Sequence, residues 1–375
     1  MIITLSFVNG FQETVSQKVF SFWGHVRIEY RQPQKAAIAE EEPIGQNDSL
    51  IENIKKLPHI RSVHPFATKY AILKTADEME GVLLKGLDSS YDFAHFKPFV
   101  QQGGRWIRFN DTTYSREIII STNTAKTLGL KLGDRVLIYF IREDGTMRPD
   151  KLTIVGLYKT SIDEYDKTFA IGDLKLIRRL NGWEQDQIGG YEIFLDGYKK
   201  MNEVSEQIRY VHDFPAAWEA RTSKELYPHI FDWLDVQDTN QNILITIMII
   251  IAIINLITCL IILVLERLQM IGVLKAIGAS NWTVQKIFLH HSAIITFAGV
   301  IIGTAVALLL LFIQMQTGFI RLQEEAYYMQ TAEVKVIWWQ VVAVCVGTMV
   351  VSFLVLLIPS LIVRKIQPIK AIHFK

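Results

Sequence analysis

Up to about residue 241 the chain mixes short apolar runs with frequent charge. Beyond that point three long stretches carry no Asp, Glu, Lys or Arg: Asn242–Leu265 (with ILITIMIIIAIINLITCLIILVL at its heart), Ile287–Gln316 and Val336–Val363. A helix needs about 20 apolar residues to cross a hydrocarbon core. Each stretch exceeds that, with spare length for tilt or protruding ends. The pattern predicts three full membrane spans, at about 242–265, 287–316 and 336–363.

The first part has mixed periodicity. NDSLIENIKKLP predicts a short helix, with Ser49 and Glu52 as a capping box, Leu50, Ile51, Ile54 and Leu57 on one face and Pro58 as the stop. Strand-like runs follow at Tyr70–Leu73 and Gly81–Leu87. From about 100 to 190 the pattern turns to β (REIIIST, DRVLIYF, KLTIVGLY), with Gly/Asp turns between the runs. YEIFLDG then predicts a strand and MNEVSEQIRYV a helix carrying Val204, Ile208 and Val211 on one side. The fold expected is α+β: a split α/β subdomain with a β-rich insertion, joined to an α-helical transmembrane bundle. The expected divisions are 1–11, the outer end of a truncated first span; 12–225, the extracytoplasmic domain with its insertion at about 100–190; 226–241, a helical stalk; and 242–375, the transmembrane domain.

Charge sets the orientation. Residues 1–241 hold 30 Lys+Arg and 34 Asp+Glu, whereas residues 242–375 hold 9 and 4. ERLQMIGVLKAIGASNWTVQK and the tail RKIQPIKAIHFK are the basic loops, which stay in the cytoplasm. The 317–335 loop and residues 1–241 therefore lie outside, and Trp338 and Trp339 fall at the outer interface. A net charge of +1 gives no basic face for nucleic acid. Cys259 and Cys345 both fall in apolar runs and set no redox compartment.

Catalytic signatures are missing. No GxxxxGK[ST] phosphate loop, HExxH, GxSxG or Cys/His metal spacing occurs, so no enzyme activity and no cofactor is expected. His290 and His291 are adjacent and point about 100° apart on a helix, which does not make a shared metal site. GLKLGD (129–134) is expected to be a turn into DRVLIYF. Inside the spans, Asn255 calls for a partner across a helix interface or lines a lipid cavity, and Gly299 and Gly303 form a GxxxG step that permits close helix approach. Pro359 predicts a kink or an end to the last span.

LERLQMIGVLKAIGAS, an amphipathic cytoplasmic segment ending in Gly-Ala-Ser, resembles the coupling segment of FtsX-like ABC permeases. LKGLDSSYDF, AKTLGLKLGDRV, TIVGLYKTSIDEYDK, FDWLDVQDTNQNILI and IPSLIVRKIQPIKAIHF resemble the lipoprotein-releasing (LolC/LolE-type) branch, whose outer domain is related to the MacB-type periplasmic core. The resemblance covers the whole chain in order. It implies an inner-membrane, multi-pass permease that works with a cytoplasmic LolD-like ATPase and a second permease copy or paralogue. It also implies lipoprotein substrates, a periplasmic lipoprotein carrier and membrane lipids as partners. By the same resemblance Gln269, Met270, Ile271, Leu274, Lys275, Ile277, Gly278, Ala279 and Ser280 form the ATPase-coupling element. Arg148 and Pro149, in REDGTMRPDK, stand where the carrier-docking hairpin belongs, and the outer half of the 242–265 span lines the lipid cavity. Relatives often carry Glu where this chain has Met270, and Pro where it has Glu333. Two other readings stay open: an exporter of drugs or peptides of the MacB type, which usually carries a fused ATPase, and a signalling protein that controls cell-wall hydrolases, as the cell-division FtsX does.

The opening MIITLSFVNGF belongs to the same resemblance. Ser6, Asn9, Gly10 and Phe11 match the point where the family's first of four spans leaves the membrane. Met1 is then expected to be an internal methionine taken for a start, or the edge of a truncated gene.

Overall fold

The computed structural model describes residues 1–32, 41–110, 112–141, 147–266, 268–323 and 327–365. The chain divides into two compact units. One holds Thr14–Phe231 with Leu322–Gln330, and the other holds Met1–Glu13, Asp232–Arg321 and Thr331–Lys375.

The first unit is built on one nine-stranded sheet. Its strands are β1 (Val26–Tyr30), β3 (Ile60–Lys74), β4 (Met79–Leu87), β5 (Glu117–Ser121), β6 (Arg135–Ile141), β7 (Met147–Tyr158), β8 (Phe169–Asp173), β10 (Gly190–Leu195) and β11 (Trp218–Thr222), with β2 (Ile44–Gly45) and β9 (Gln187–Ile188) as a separate short pair. The order is β11-β1-β10-β3-β4-β8-β5-β7-β6, and β6 also pairs with β3. Strand β3 makes this possible. Its first half pairs with β10, its second half pairs with β4 on one edge, and Ala71–Lys74 pair with Leu137–Phe140 on the other. A ring of six strands closes through β3. The β-rich stretch is thus hydrogen-bonded into the same sheet as the flanking strands and does not form a layer of its own. Alternate residues fill the ring: Val82 and Leu84, Ile118 and Ile120, Val136, Ile138 and Phe140, Leu152 and Ile154 are all buried.

Helices α2 (Asp48–Lys55), α3 (Thr122–Thr127), α4 (Asp163–Thr168), α5 (Leu174–Asn181), α6 (Met201–Arg209) and α7 (Ser223–Leu226) complete this unit. The expected capping box of α2 is corrected. Asn47 is the cap and accepts from the Leu50 backbone N–H, so the helix begins one residue ahead of Ser49. Helix α5 comes close to the sheet at Gly86, where a Cβ would sit 2.8 Å from the Leu174 Cα. Tyr158, fully buried, donates its hydroxyl to the carbonyls of Tyr165 at 3.0 Å and Phe169 at 2.8 Å, tying β7 to α4 and β8. The Tyr165 carbonyl also accepts the Phe169 N–H, so Tyr158→Phe should cost about 0.5–1.5 kcal/mol through the lost hydrogen bonding, read as a lower melting temperature of the purified chain. An unchanged melt would refute the tie.

The second unit is helical. α1 (Ile2–Trp23) contributes its first turns, followed by α8 (Pro228–Glu266, 39 residues), α9 (Leu268–Ala276), α10 (Asn281–Thr317, 37 residues) and α11 (Trp338–Lys365, 28 residues). α1 runs past Phe11 to Trp23. α11 runs through Pro359 to Lys365, so the proline neither ends it nor marks its last turn. Among the described residues Phe231–Cys259 and Ala293–Thr317 are long and apolar enough to cross a membrane, and Trp338–Leu354 is a shorter apolar stretch. α10 and α11 pack through buried Ala307, Leu311 and Val341, with the Thr304 hydroxyl 3.2 Å from the Cys345 sulfur. The hydroxyls of Thr246, Thr258, Thr317 and Thr348 donate to the carbonyl four residues back, at 2.7–2.9 Å.

Candidate functional site

The segment after α8 folds as helix α9, closed by a Schellman-type turn. Gly278 takes φ +98°, Ala279 N–H donates to the Leu274 carbonyl at 2.9 Å and Ile277 N–H to that of Val273 at 3.1 Å. Glycine is required there, because side chains rarely adopt that φ. Ser280 then caps α10 by accepting from Thr283 N–H at 3.1 Å. Ala279 and Ser280 are therefore the joint between two helices, and the exposed surface lies on either side of them. Ile277 is 80% exposed and Met270 40%, while Leu274 is half-buried. Gln269 is on the same helix, and the side chains of Ile271 and Lys275 lie outside the described set. Two residues that the sequence reading passed over extend the patch: Val273, 51% exposed, and Trp282, 64% exposed. The spacing of Met270, Val273 and Ile277 (i, i+3, i+7) could have found the first. Trp282, just past the cap, could have been found as an aromatic with no core to join.

The SxxNGF motif has a geometric account within the helical unit. Ser6 is buried and its carbonyl accepts from Lys335 N–H at 3.0 Å, while the Asn9 amide donates to Gln340 Oε1 at 2.6 Å. Glu13 pairs with Lys335 at 2.6 Å, and the Phe11 and Trp233 rings lie 5.2 Å apart. Gly10 faces the backbone of Glu333 so closely that a Cβ would sit 2.3 Å from its carbonyl oxygen. The motif clamps α1 to the segment before α11.

Beside that clamp an apolar groove of about 380 Å³ lies between the first turns of α1 (Met1, Leu5), α8 (Ile245, Ile249, Leu256) and α11 (Val344). That is the low end of the range for small-molecule pockets. Asn255 is exposed on α8 and is not among its lining. Gly299 and Gly303 meet nothing: a Cβ at either would have open space within 4 Å. Their close-approach face meets nothing among the described residues. In the β6–β7 hairpin residues 142–146 lie outside the described residues. Arg148 pairs with Phe140 and Pro149 with Tyr139 in the ladder, and Pro149 is exposed. His290 is exposed, and the side chain of His291 is not among those described. No cluster of metal-ligating side chains occurs among the described residues.

One chain thus joins a mixed α/β unit and a unit of long apolar helices, two of them with stretches long and apolar enough to cross a membrane among the described residues. The chain belongs to the FtsX-like permease family with a MacB-like periplasmic core domain: residues 1–210 match the MacB-like periplasmic core domain and residues 242–368 the FtsX-like permease C-terminal region. The lipoprotein-releasing system transmembrane protein LolE of Haemophilus influenzae is 22% identical over 382 residues, spanning 98% of this chain and 89% of its own. LolC of Neisseria meningitidis is 23% identical over 400 residues, spanning 100% and 91%. Among solved structures, the extracellular domain of the noncanonic ABC-type transporter YknZ from Gram-positive bacteria is 15% identical, covers 53% of this chain and 100% of its own, and has a TM-score of 0.36. The periplasmic region of MacB from Actinobacillus actinomycetemcomitans is 12% identical, covers 56% and 95%, and also scores 0.36.

Proposed function

We propose that this chain is the permease subunit of an ABC transporter that extracts lipoproteins from the inner membrane, driven by a separate cytoplasmic ATPase, and passes them to a periplasmic carrier. The observation that carries this reading is the end-to-end similarity to proteins named for lipoprotein release, which takes in the core domain and the helices together. In this reading residues 1–241 face the periplasm, in keeping with the basic loops on the other side. The three apolar stretches are the family's last three spans, and α9 with Ile277 and Trp282 docks on the ATPase. A second permease copy or paralogue completes the transporter, and Arg148 and Pro149 lie at the base of the carrier-docking hairpin. Hydrolysis is the partner's task, and this chain supplies the path by which its movement reaches the substrate.

Depleting the protein should leave outer-membrane lipoproteins stranded in the inner membrane, measured by fractionating the two membranes. Normal sorting with defective septation would instead support the signalling reading.

A further inference from the structure

Where α1 enters the sheet, charged side chains lie in the interior. Lys85 on β4 and Glu192 on β10 are 1% and 0% exposed, and the Lys85 ammonium is 2.6 Å from a Glu192 carboxylate oxygen. The same ammonium donates to the Phe22 carbonyl in the last turn of α1. Tyr91 donates its hydroxyl to the Ser21 carbonyl at 3.0 Å. The last carbonyls of a helix have no partners within it and carry partial negative charge, so a cation there is doubly favoured. Beside this pair the Arg27 guanidinium lies 4.1 Å over the Trp23 ring and 4.5 Å over Phe66, with Glu29 at 2.5 Å. The Trp23 ring in turn stacks on Tyr227, the residue before α8 begins, at 5.8 Å. Ser223 closes the cluster from α7. Its hydroxyl donates to the Gly24 carbonyl at 2.7 Å and its N–H to that of His25 at 3.0 Å.

The roots of α1 and α8 thus meet on one ionic and aromatic cluster. A cluster serving stability alone would do as well or better with apolar residues of the same shape. This one leaves Trp23 Nε1 and Arg27 Nε without acceptors among the described residues. What charge adds is direction. Apolar packing is non-directional and lets surfaces slide, whereas an ammonium shared between a carboxylate and a helix-end carbonyl fixes rotation and height together. Burial pushes the Lys85 ammonium down and the Glu192 carboxyl up from their usual ranges, with each partner's charge opposing the shift.

We infer that Lys85, Glu192, Arg27 and Tyr91 are positioning residues: a buried clasp that couples the ends of α1 and α8 to the sheet, so that displacement of either helix moves the core domain as one piece. The inference rests on the proposed transport function for its purpose and on geometry for its existence, and the two are tested apart. The full chain, with Cys259 and Cys345 replaced by Ser, carries spin labels at Gln17→Cys on α1 and Asp196→Cys beyond β10, both exposed positions. It is purified with its ATPase, alone and with Lys85→Met plus Glu192→Met. The expected result is a melting temperature within about 5 °C of the parent, a widened label-distance distribution, and lipoprotein released per ATP lowered about tenfold while hydrolysis continues. Glu192→Gln, which keeps shape and removes one charge, is the second variant and should widen the distribution as well. A distribution as narrow as the parent's in a folded variant, or an unchanged yield per ATP, overturns the clasp. A parent that hydrolyses ATP without releasing lipoprotein overturns the proposed function, and the label distances then decide the clasp by themselves.

Discussion

Ile277→Glu is expected to leave a folded, membrane-inserted chain that no longer holds its ATPase. Ile277 lies at the end of α9, four-fifths exposed, beside a glycine turn that keeps it there whatever its side chain. Glutamate at an exposed helix end costs the isolated chain little. In a docked apolar interface the same carboxylate must be buried without a partner, which is expensive. A hundredfold loss of affinity, about 2.8 kcal/mol, is the expected scale. The measurement is co-purification of the ATPase with tagged permease. Leu274→Glu is the less discriminating variant, because Leu274 is half-buried in the chain itself and its loss mixes folding with docking. Retention of the ATPase at parental stoichiometry by Ile277→Glu would remove α9 as the docking element.

Gly10→Ala tests the clamp at the other end, and there the sign of the effect is informative. In an ordinary exposed helix the change from Gly to Ala stabilises by up to about 1 kcal/mol. Here the added methyl would lie 2.3 Å from the Glu333 carbonyl oxygen and 2.9 Å from Lys335 N, so backbone has to move. Overpacking of that kind costs about 1–3 kcal/mol. The displaced segment carries the Lys335–Ser6 hydrogen bond, and the Asn9–Gln340 bond to α11 lies beside it; each adds about 1 kcal/mol if lost. A melting temperature lowered by several degrees is expected for the purified chain. A rise would show that α1 and the segment before α11 do not meet as described.

The parts that could be read from sequence were those governed by local rules. Two charge-free stretches longer than a bilayer requires became α8 and α10, and the glycines of GLKLGD became a turn with Gly129 and Gly133 at positive φ. What could not be read depended on distant partners. The sequence marks residues 1–11 as the outer end of a span, and nothing in it announces that the helix runs on to Trp23. In the fold Ser16, Lys18 and Ser21 are buried together with Val15, Val19 and Phe22. A helix buried on most of its sides shows no clear amphipathic stripe to extend. Ring closure by β3 and β6 joins residues more than sixty positions apart, with nothing in either strand to announce it. Lys85 and Glu192 look like the polar face of two strands, and only the helix end above them turns that face inward. At the coupling segment the turn, the cap and Ile277 were legible. Trp282 was missed because the motif was taken to stop at the cap.

The threonines of the long helices also bear on how α8 meets its neighbours. Between Asn242 and Glu266 the polar side chains are Thr246, Asn255, Thr258 and Cys259, and both threonines spend their hydroxyls on carbonyls of their own helix. They ask nothing of a neighbour. Asn255 is exposed at mid-helix. A single amide on an otherwise uniform apolar rod acts as an index mark. A helix bonded to that amide that slid along α8 by one residue would move about 1.5 Å with almost no change in dispersion, yet would lose the hydrogen bond. A lone buried asparagine fixes register in paired helices for the same reason. We propose that a helix meeting α8 at Asn255 takes its height from that amide, more than the strength with which it is held.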